Sequence, residues 1–530
     1  MKQHARHFLI LIVLVLVLAG VSCAPPAPEP SPSPSASAIP SKTQMPRPTS
    51  GVRSTPTAAE TLPPTPTITT RNASQALLPD FSNDVVALEP LTCYWIDLEI
   101  STDQAGESAR LEGNERIQFT NPGDLPLDDL VLMLWPNNEQ YLADMQAGPV
   151  LVNGELHPGQ TELDGLALRV PLQEPLEAGQ MLDLSLSFSV QIKSGMNENR
   201  PRRMGLTQGA VIAPTFYPLL PPLIDGQWQV DAAPPGGDTT NSVVSLYTLT
   251  IRSSPDQALI VSGSEVESTV LSSGQRETTY VSGPVRDVAL ALGPFEELNE
   301  TVHDVVLHAW YLPEHKPGAE RMLDAGARQF SYFWEWVGPY PYQELDLVDA
   351  PGAYRGIEYP GLVYIGTLGG TNVIDPTVHE VAHQWFYGMV GNDQIHEPWL
   401  DEAAATYSQL LYYEQHYGSG AAASLLSDWR TWVQTAPDPT RPIGDGISEY
   451  RSDGEYVLIV YLKGALFLEA LRAELGDDLF FDFLRAYYDE QRYKLAQGGD
   501  FKRVAEQVCA CELDSLFNLW VYEGGEFPGP

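Results

Sequence analysis

The stretch VHEVAHQWF, Val378 to Phe386, constrains this chain more than any other. His379 and His383 stand four positions apart. On a helix they lie one above the other on the same face and aim two imidazoles at one point. Glu380 sits one position round, beside that point, where it can take a proton from an activated water. A catalytic zinc takes three protein ligands and leaves one position open. The third ligand must come from another element, and PWLDEAAATY offers Asp401 and Glu402 at the start of a second helical pattern. Adjacent helical residues point about 100° apart, so only one of these two can face the metal. A loop from Gly388 to Glu397 lets the second helix return antiparallel to the first.

The chain around these segments divides into two regimes. From about residue 86 to 300, short alternating or apolar runs such as YWIDLEIS, MLDLSLSFSVQI and VVSLYTLTIRS are separated by Asn, Gly, Pro and Asp. They predict an antiparallel β-sandwich or saddle-shaped sheet without a catalytic constellation of its own. After about residue 300, VVLHAWYL and LDLVDA read as strands flanking a helix over Gly318–Val337, and the rest turns helical. Asp375 and Pro376 predict a helix start, with Asp375 as N-cap and proline in the first helical position. Val378, Val381, Ala382, Trp385, Phe386 and Met389 supply its buried stripe. Further helices are expected over Pro398–Tyr417, Glu455–Leu475, Asp478–Tyr488 and Phe501–Val508.

The N-terminus has the layout of an export signal. Lys2 and Arg6 precede an apolar run from Phe8 to Leu18, too short for an ordinary spanning helix, and AGVSC follows. The ending resembles a bacterial lipoprotein signal, with Gly20 where a larger aliphatic residue is usual. It implies a signal over 1–23, a lipidated Cys23 and a membrane-anchored protein of the cell envelope, or a secreted one if the signal is plainly cleaved. Residues 24–85, beginning APPAPEPSPSPSASAIP, read as a disordered Pro/Ser/Thr-rich tether. The formal net charge of −39 argues against nucleic acid as a partner. Cys93, Cys509 and Cys511 do not make a disulfide framework and are read as structural, with one bridge left open.

HEVAHQWF and WLDEAAATY together resemble the two zinc segments of the gluzincin metallopeptidases of family M1, the aminopeptidase N and leukotriene A4 hydrolase group. The spacing matches, and the resemblance selects Glu402 over Asp401 as third ligand. RGIEYPGLVYIG resembles the family's GxMEN strand, with Ile357 for methionine and Tyr359 for asparagine. It implies that Glu358 receives a substrate's free amino terminus. YLKGALFLEAL resembles the tyrosine-x-Lys-Gly segment and implies that Tyr461 assists the transition state, with Tyr456 one turn earlier as the alternative.

The resemblance spans about residues 86–526 and implies a multidomain fold. A β domain over 86–300 precedes a thermolysin-like catalytic domain over 301–530, mixed α/β and then mostly helical. The large C-terminal helical domain of longer members is expected to be absent, leaving a more open site. The expected activity is zinc-dependent removal of N-terminal residues from peptides, with one Zn²⁺ on His379, His383 and Glu402 and with Glu380 as general base. A thermolysin-type endopeptidase would share the metal site without needing an amine anchor. A tethered binding protein without turnover would have no need of Glu380.

Overall fold

Alternation of side chains builds the first half of the molecule. In the strand Thr92–Thr102, Tyr94, Ile96, Leu98 and Ile100 are buried while Asp97 and Glu99 face solvent. The structure, a computed structural model, describes residues 73–526 apart from 104–105, 233–236, 238–239 and 367–371. The export signal, Cys23 and most of the tether lie outside the described residues. Thr92–Thr102 pairs antiparallel with Ser108–Thr120 and belongs to a nine-stranded sheet. Its other neighbour, Ser245–Ser253, runs parallel to it, a departure from the all-antiparallel expectation. The long connection between these two strands builds other parts of the domain, and a crossover of that kind permits a parallel pair. Tyr94 and Tyr247 are register partners there; their rings stack at 4.8 Å, and Tyr217 meets both edge-on.

Residues 73–85, included in the expected tether, carry short helical turns at Ser74–Ala76, Pro79–Phe81 and Asp84–Ala87. Leu77 and Val85 are buried, Leu77 bridges to Tyr342, and Asp84 accepts from the Tyr493 hydroxyl. Buried apolar side chains and hydrogen bonds such as Leu78 N–H to the Pro341 carbonyl tie this segment to the body.

The second half starts with a five-stranded sheet, in the order Glu296–Val302, Val305–Tyr311, Glu344–Asp349, Leu362–Ile365 and Gly356–Tyr359. The last of these is an edge strand, antiparallel to its neighbour. The helix Lys316–Trp336 packs closely on this sheet, because a Cβ on Gly326 would lie 2.7 Å from Leu347. The helices Ile374–Ala382, Trp399–Tyr417, Ser419–Val433, Gly464–Leu475, Asp477–Gln491 and Gly498–Cys509 follow. This is the expected order of a β-sheet domain, then mixed α/β, then helices.

Two local expectations are corrected. The helix carrying VHEVAH starts at Ile374 with Val373 as N-cap, so Asp375 is already inside the first turn. Its carboxylate accepts from Asn372 and from the Tyr413 hydroxyl instead of capping, and Pro376 still falls where no intrahelical donor is lost. The same helix ends at Ala382, with His383 as C-cap. Trp385, Phe386 and Met389 are buried as expected, but through a reversal in which Tyr387 takes φ +106° and Phe386 bridges Val390. Cys509 and Cys511 form a disulfide, and Cys93 is a half-buried free thiol pushed up to about 11, chiefly by burial.

One residue of the β half reaches into the helical half. Arg286 is fully buried, and its guanidinium donates to the carbonyls of Tyr387 (2.7 Å), Ser242 (3.1 Å) and Lys494 (2.5 Å). Gly391 makes room for it, since a Cβ there would lie 2.0 Å from the guanidinium carbon. The neighbouring Asp287 accepts from the Tyr387 hydroxyl at 2.6 Å. Backbone and side chain of the residue that reverses the chain after the metal motif are thus both held from the β half.

Candidate active site

His379 and His383 project from the helix Ile374–Ala382 and its cap toward Glu402, in the first turn of Trp399–Tyr417. The two Nε2 atoms are 3.1 Å apart, and Glu402 Oε2 lies 3.1 Å from one and 3.5 Å from the other. His383 Nδ1–H donates to the Phe386 carbonyl at 3.0 Å, so Nε2 is the nitrogen turned to the cluster, and it would offer a lone pair to a cation on giving up its proton. The reversal after Ala382 therefore fixes the tautomer of a metal ligand. Ligand atoms about 2.1 Å from a common centre at tetrahedral angles stand roughly 3.4 Å apart, so the observed spacings fit a zinc ion.

The electrostatics agree. Burial acts to lower the His383 imidazole, but the charges of Glu358, Glu402 and Glu380 override it and hold it well above the usual range. Burial lowers the His379 imidazole and keeps it neutral. Burial would raise the Glu402 carboxyl, yet hydrogen bonds from His379 and His383 bring it well below the usual range. Such a pocket calls for positive charge at its centre.

Glu358 and Glu380 form a second cluster with His383, their nearest ligand-type atoms all within 4.8 Å of one another. Glu358 sits on the edge strand Gly356–Tyr359. Glu380 rests directly against that strand, since a Cβ on Gly356 would lie 2.2 Å from Glu380 Oε1. Gln384, next to His383, clamps the hairpin by donating to the Tyr359 carbonyl (3.1 Å) and accepting from Gly361 N–H (2.8 Å). Tyr461 lies on a π-helical stretch, Val457–Lys463, within a continuous helical run. Turns of that kind often occur at functional sites. Its hydroxyl donates to Glu402 Oε1 at 2.5 Å, and its ring stacks on His379. Tyr456 packs edge-on against Tyr461, and it is Tyr461 that reaches the metal ligand.

Asp401, the rival ligand, is turned away. Its two oxygens accept from Asn392 (2.8 Å) and Gln394 (2.9 Å). The helical offset between neighbours sends one carboxylate to the imidazoles and the other to the preceding loop. No local pattern in the sequence singles out Asn392, Gln394 or Arg286. Their only signal is the polar run GNDQ inside an otherwise apolar stretch, and a lone arginine before Asp287.

Residues 323–520 match the peptidase family M1 domain. Over these residues the helical half of this chain resembles an M1 domain. His379, His383 and Glu402 are its zinc site. Among relatives, Aminopeptidase M1 of Arabidopsis thaliana is 26% identical over 229 residues, 38% of this chain and 25% of that protein. Aminopeptidase N of Streptomyces lividans is 26% identical over 236 residues, 40% of this chain and 27% of that protein. The match thus spans only about a quarter of the length of these relatives. The M1 zinc metallopeptidase of Deinococcus radiodurans shares the fold, with a TM-score of 0.63 at 20% identity over 83% of this chain and 96% of that one. The M1-like half therefore sits in a two-domain fold with the β half before it.

Proposed function

We propose that the chain is a zinc aminopeptidase, releasing residues one at a time from the free amino ends of peptides. The observation that carries this reading is Glu358, a buried carboxylate beside Glu380 and His383 on the edge strand next to the zinc site. An extended peptide can add to such an edge through main-chain hydrogen bonds. Glu358 then pairs with its ammonium and sets which bond lies over the metal. Two further facts support the reading. The relatives named above are aminopeptidases by name, and a mutant of the Deinococcus metallopeptidase was solved with a Tyr-Ser-Ala substrate.

Zinc, when bound, supplies polarisation of the scissile carbonyl and brings the pKa of a water toward about 7. Glu380 takes a proton as general base and later delivers it to the leaving amine. Tyr461, already within hydrogen-bond reach of Glu402, donates to the oxyanion, a contact that contributes about 3–4 kcal/mol where measured in other enzymes. Glu358 keeps the amino end in register throughout.

The test is a panel of aminoacyl-arylamides and matched N-acetylated peptides, with and without a chelator. Chelator-sensitive hydrolysis confined to free amines is expected. Equal cleavage of blocked peptides would make the protein an endopeptidase, and no cleavage of either would leave a binding protein.

The place of action belongs to the same proposal. The signal-like start and Cys23 support lipid anchoring outside the cytoplasm, and among the described residues no helix is long and apolar enough to cross a membrane. Palmitate labelling should disappear in Cys23→Ser; labelling that persists would remove Cys23 as the anchor.

A further inference from the structure

Glu358 does not hold its position unaided. Gln394, on the loop between the two metal-binding helices, donates from Nε2 to Glu358 Oε1 at 3.1 Å and to Asp401 Oδ2 at 2.9 Å. A primary amide has two N–H bonds, and here each goes to a different carboxylate. All three side chains are buried. The loop is itself fixed on three sides. Asn392 donates to Asp401 and to the Glu397 carbonyl, Ala496 N–H donates to the Gly391 carbonyl at 2.7 Å, and Ile447 N–H donates to the Ile395 carbonyl at 2.9 Å. Asp401 directly precedes the zinc ligand Glu402. One amide therefore links the strand that would receive the amine to the turn that holds the metal.

The residue type matters as much as the distance. A lysine or arginine at this position would also bridge two carboxylates, but it would neutralise Glu358 and occupy the place of the incoming ammonium. A carboxylate would repel both neighbours. An apolar side chain would leave two buried anions without this donor. A neutral donor alone orients Glu358 without adding a countercharge of its own.

We propose that Gln394 is a positioning residue for amine recognition, holding Glu358 at a fixed offset from the zinc site without cancelling its charge. The inference rests on the aminopeptidase reading of the same site. The hydrogen bonds of the Gln394 side chain go to Glu358 and Asp401 rather than to the metal ligands, so its effect should fall on binding of the amino end.

The test uses the full exported chain, with zinc content and melting temperature recorded for every variant. In Gln394→Met, which keeps the side-chain size, KM for a free-amine peptide should rise with a much smaller change in kcat. Loss of a hydrogen bond to a charged group corresponds to roughly 10- to 100-fold in kcat/KM. Gln394→Lys, stabilised between two carboxylates, should fold with undiminished melting temperature and zinc content, yet show the larger rise in KM. It serves as the deciding variant if the methionine variant is unstable. In a Glu358→Gln background, Gln394→Met should add little, because the two residues act as one unit. Additive losses, or a fall in kcat with KM unchanged, would overturn the proposal while leaving the aminopeptidase reading intact. A wild-type protein indifferent to N-acetylation would instead overturn that reading, and this inference with it.

Discussion

Two glutamates of this protein are equally hidden, each 2% exposed, and they titrate in opposite directions. Glu115 lies in the sheet of the β half, opposite Ile96 on one side and Leu186 on the other. Neither of its oxygens has a hydrogen-bond partner among the described residues, and burial pushes it well above the usual carboxylate range. Glu402 lies in the helical half against two imidazoles and a phenol, and is held well below that range. Burial is common to both, so partners make the difference. The β half tolerates a neutral acid as packing material, whereas the site spends three well-placed donors on keeping its acid charged.

The comparison can be broken most severely by stripping Glu402 of a partner. His383→Ala should abolish stoichiometric zinc and all turnover, read by metal analysis on the purified protein. Retained zinc would show that the ligand set is misassigned. Glu380→Gln should keep zinc and lose roughly 10²- to 10⁴-fold in kcat, the usual contribution of a general base. Zinc loss in that variant would make Glu380 a ligand. Arg286→Met should destabilise the protein by about 3 kcal/mol, since it strands buried carbonyls and leaves Asp287 without its cationic neighbour. A shift in melting temperature reads this.

Glu115→Leu gives the smallest effect and the opposite sign. The folded state keeps Glu115 protonated where the unfolded chain releases the proton above about pH 4.3. Stability lost to this residue therefore grows as pH rises beyond that point. The leucine variant should gain about 1–3 kcal/mol at pH 8 and clearly less at pH 4. An equal gain at both would show that Glu115 is ionised in the fold.

The sequence revealed local periodicity and not the long-range pairings. His379 and His383 were legible because helical spacing aligns them, and resemblance selected Glu402 over Asp401 as their partner. The fold order was legible because the hydrophobic period changes near residue 300. Asp375 looked like an N-cap because its competitor, Tyr413, is distant in sequence. The apolar stripe of that helix was carried to Met389 because its residues keep helical spacing after Ala382, yet burial there comes from a tight reversal. Arg286, Asn392 and Gln394 act through partners that only folding brings near. The tether was carried to residue 85 although its Pro, Ser and Thr richness ends near residue 72, because the contacts that hold 73–85 come from residues distant in sequence.

The arginine that crosses between the halves has a consequence for how such chains diversify. A catalytic segment cut out at residue 301 would leave behind the cation that fills the hollow over Gly391, together with the acid that holds Tyr387. Recombination could not exchange the halves as independent cassettes. A foreign partner would have to arrive carrying its own key, and the recipient would have to keep the glycine that serves as the keyhole.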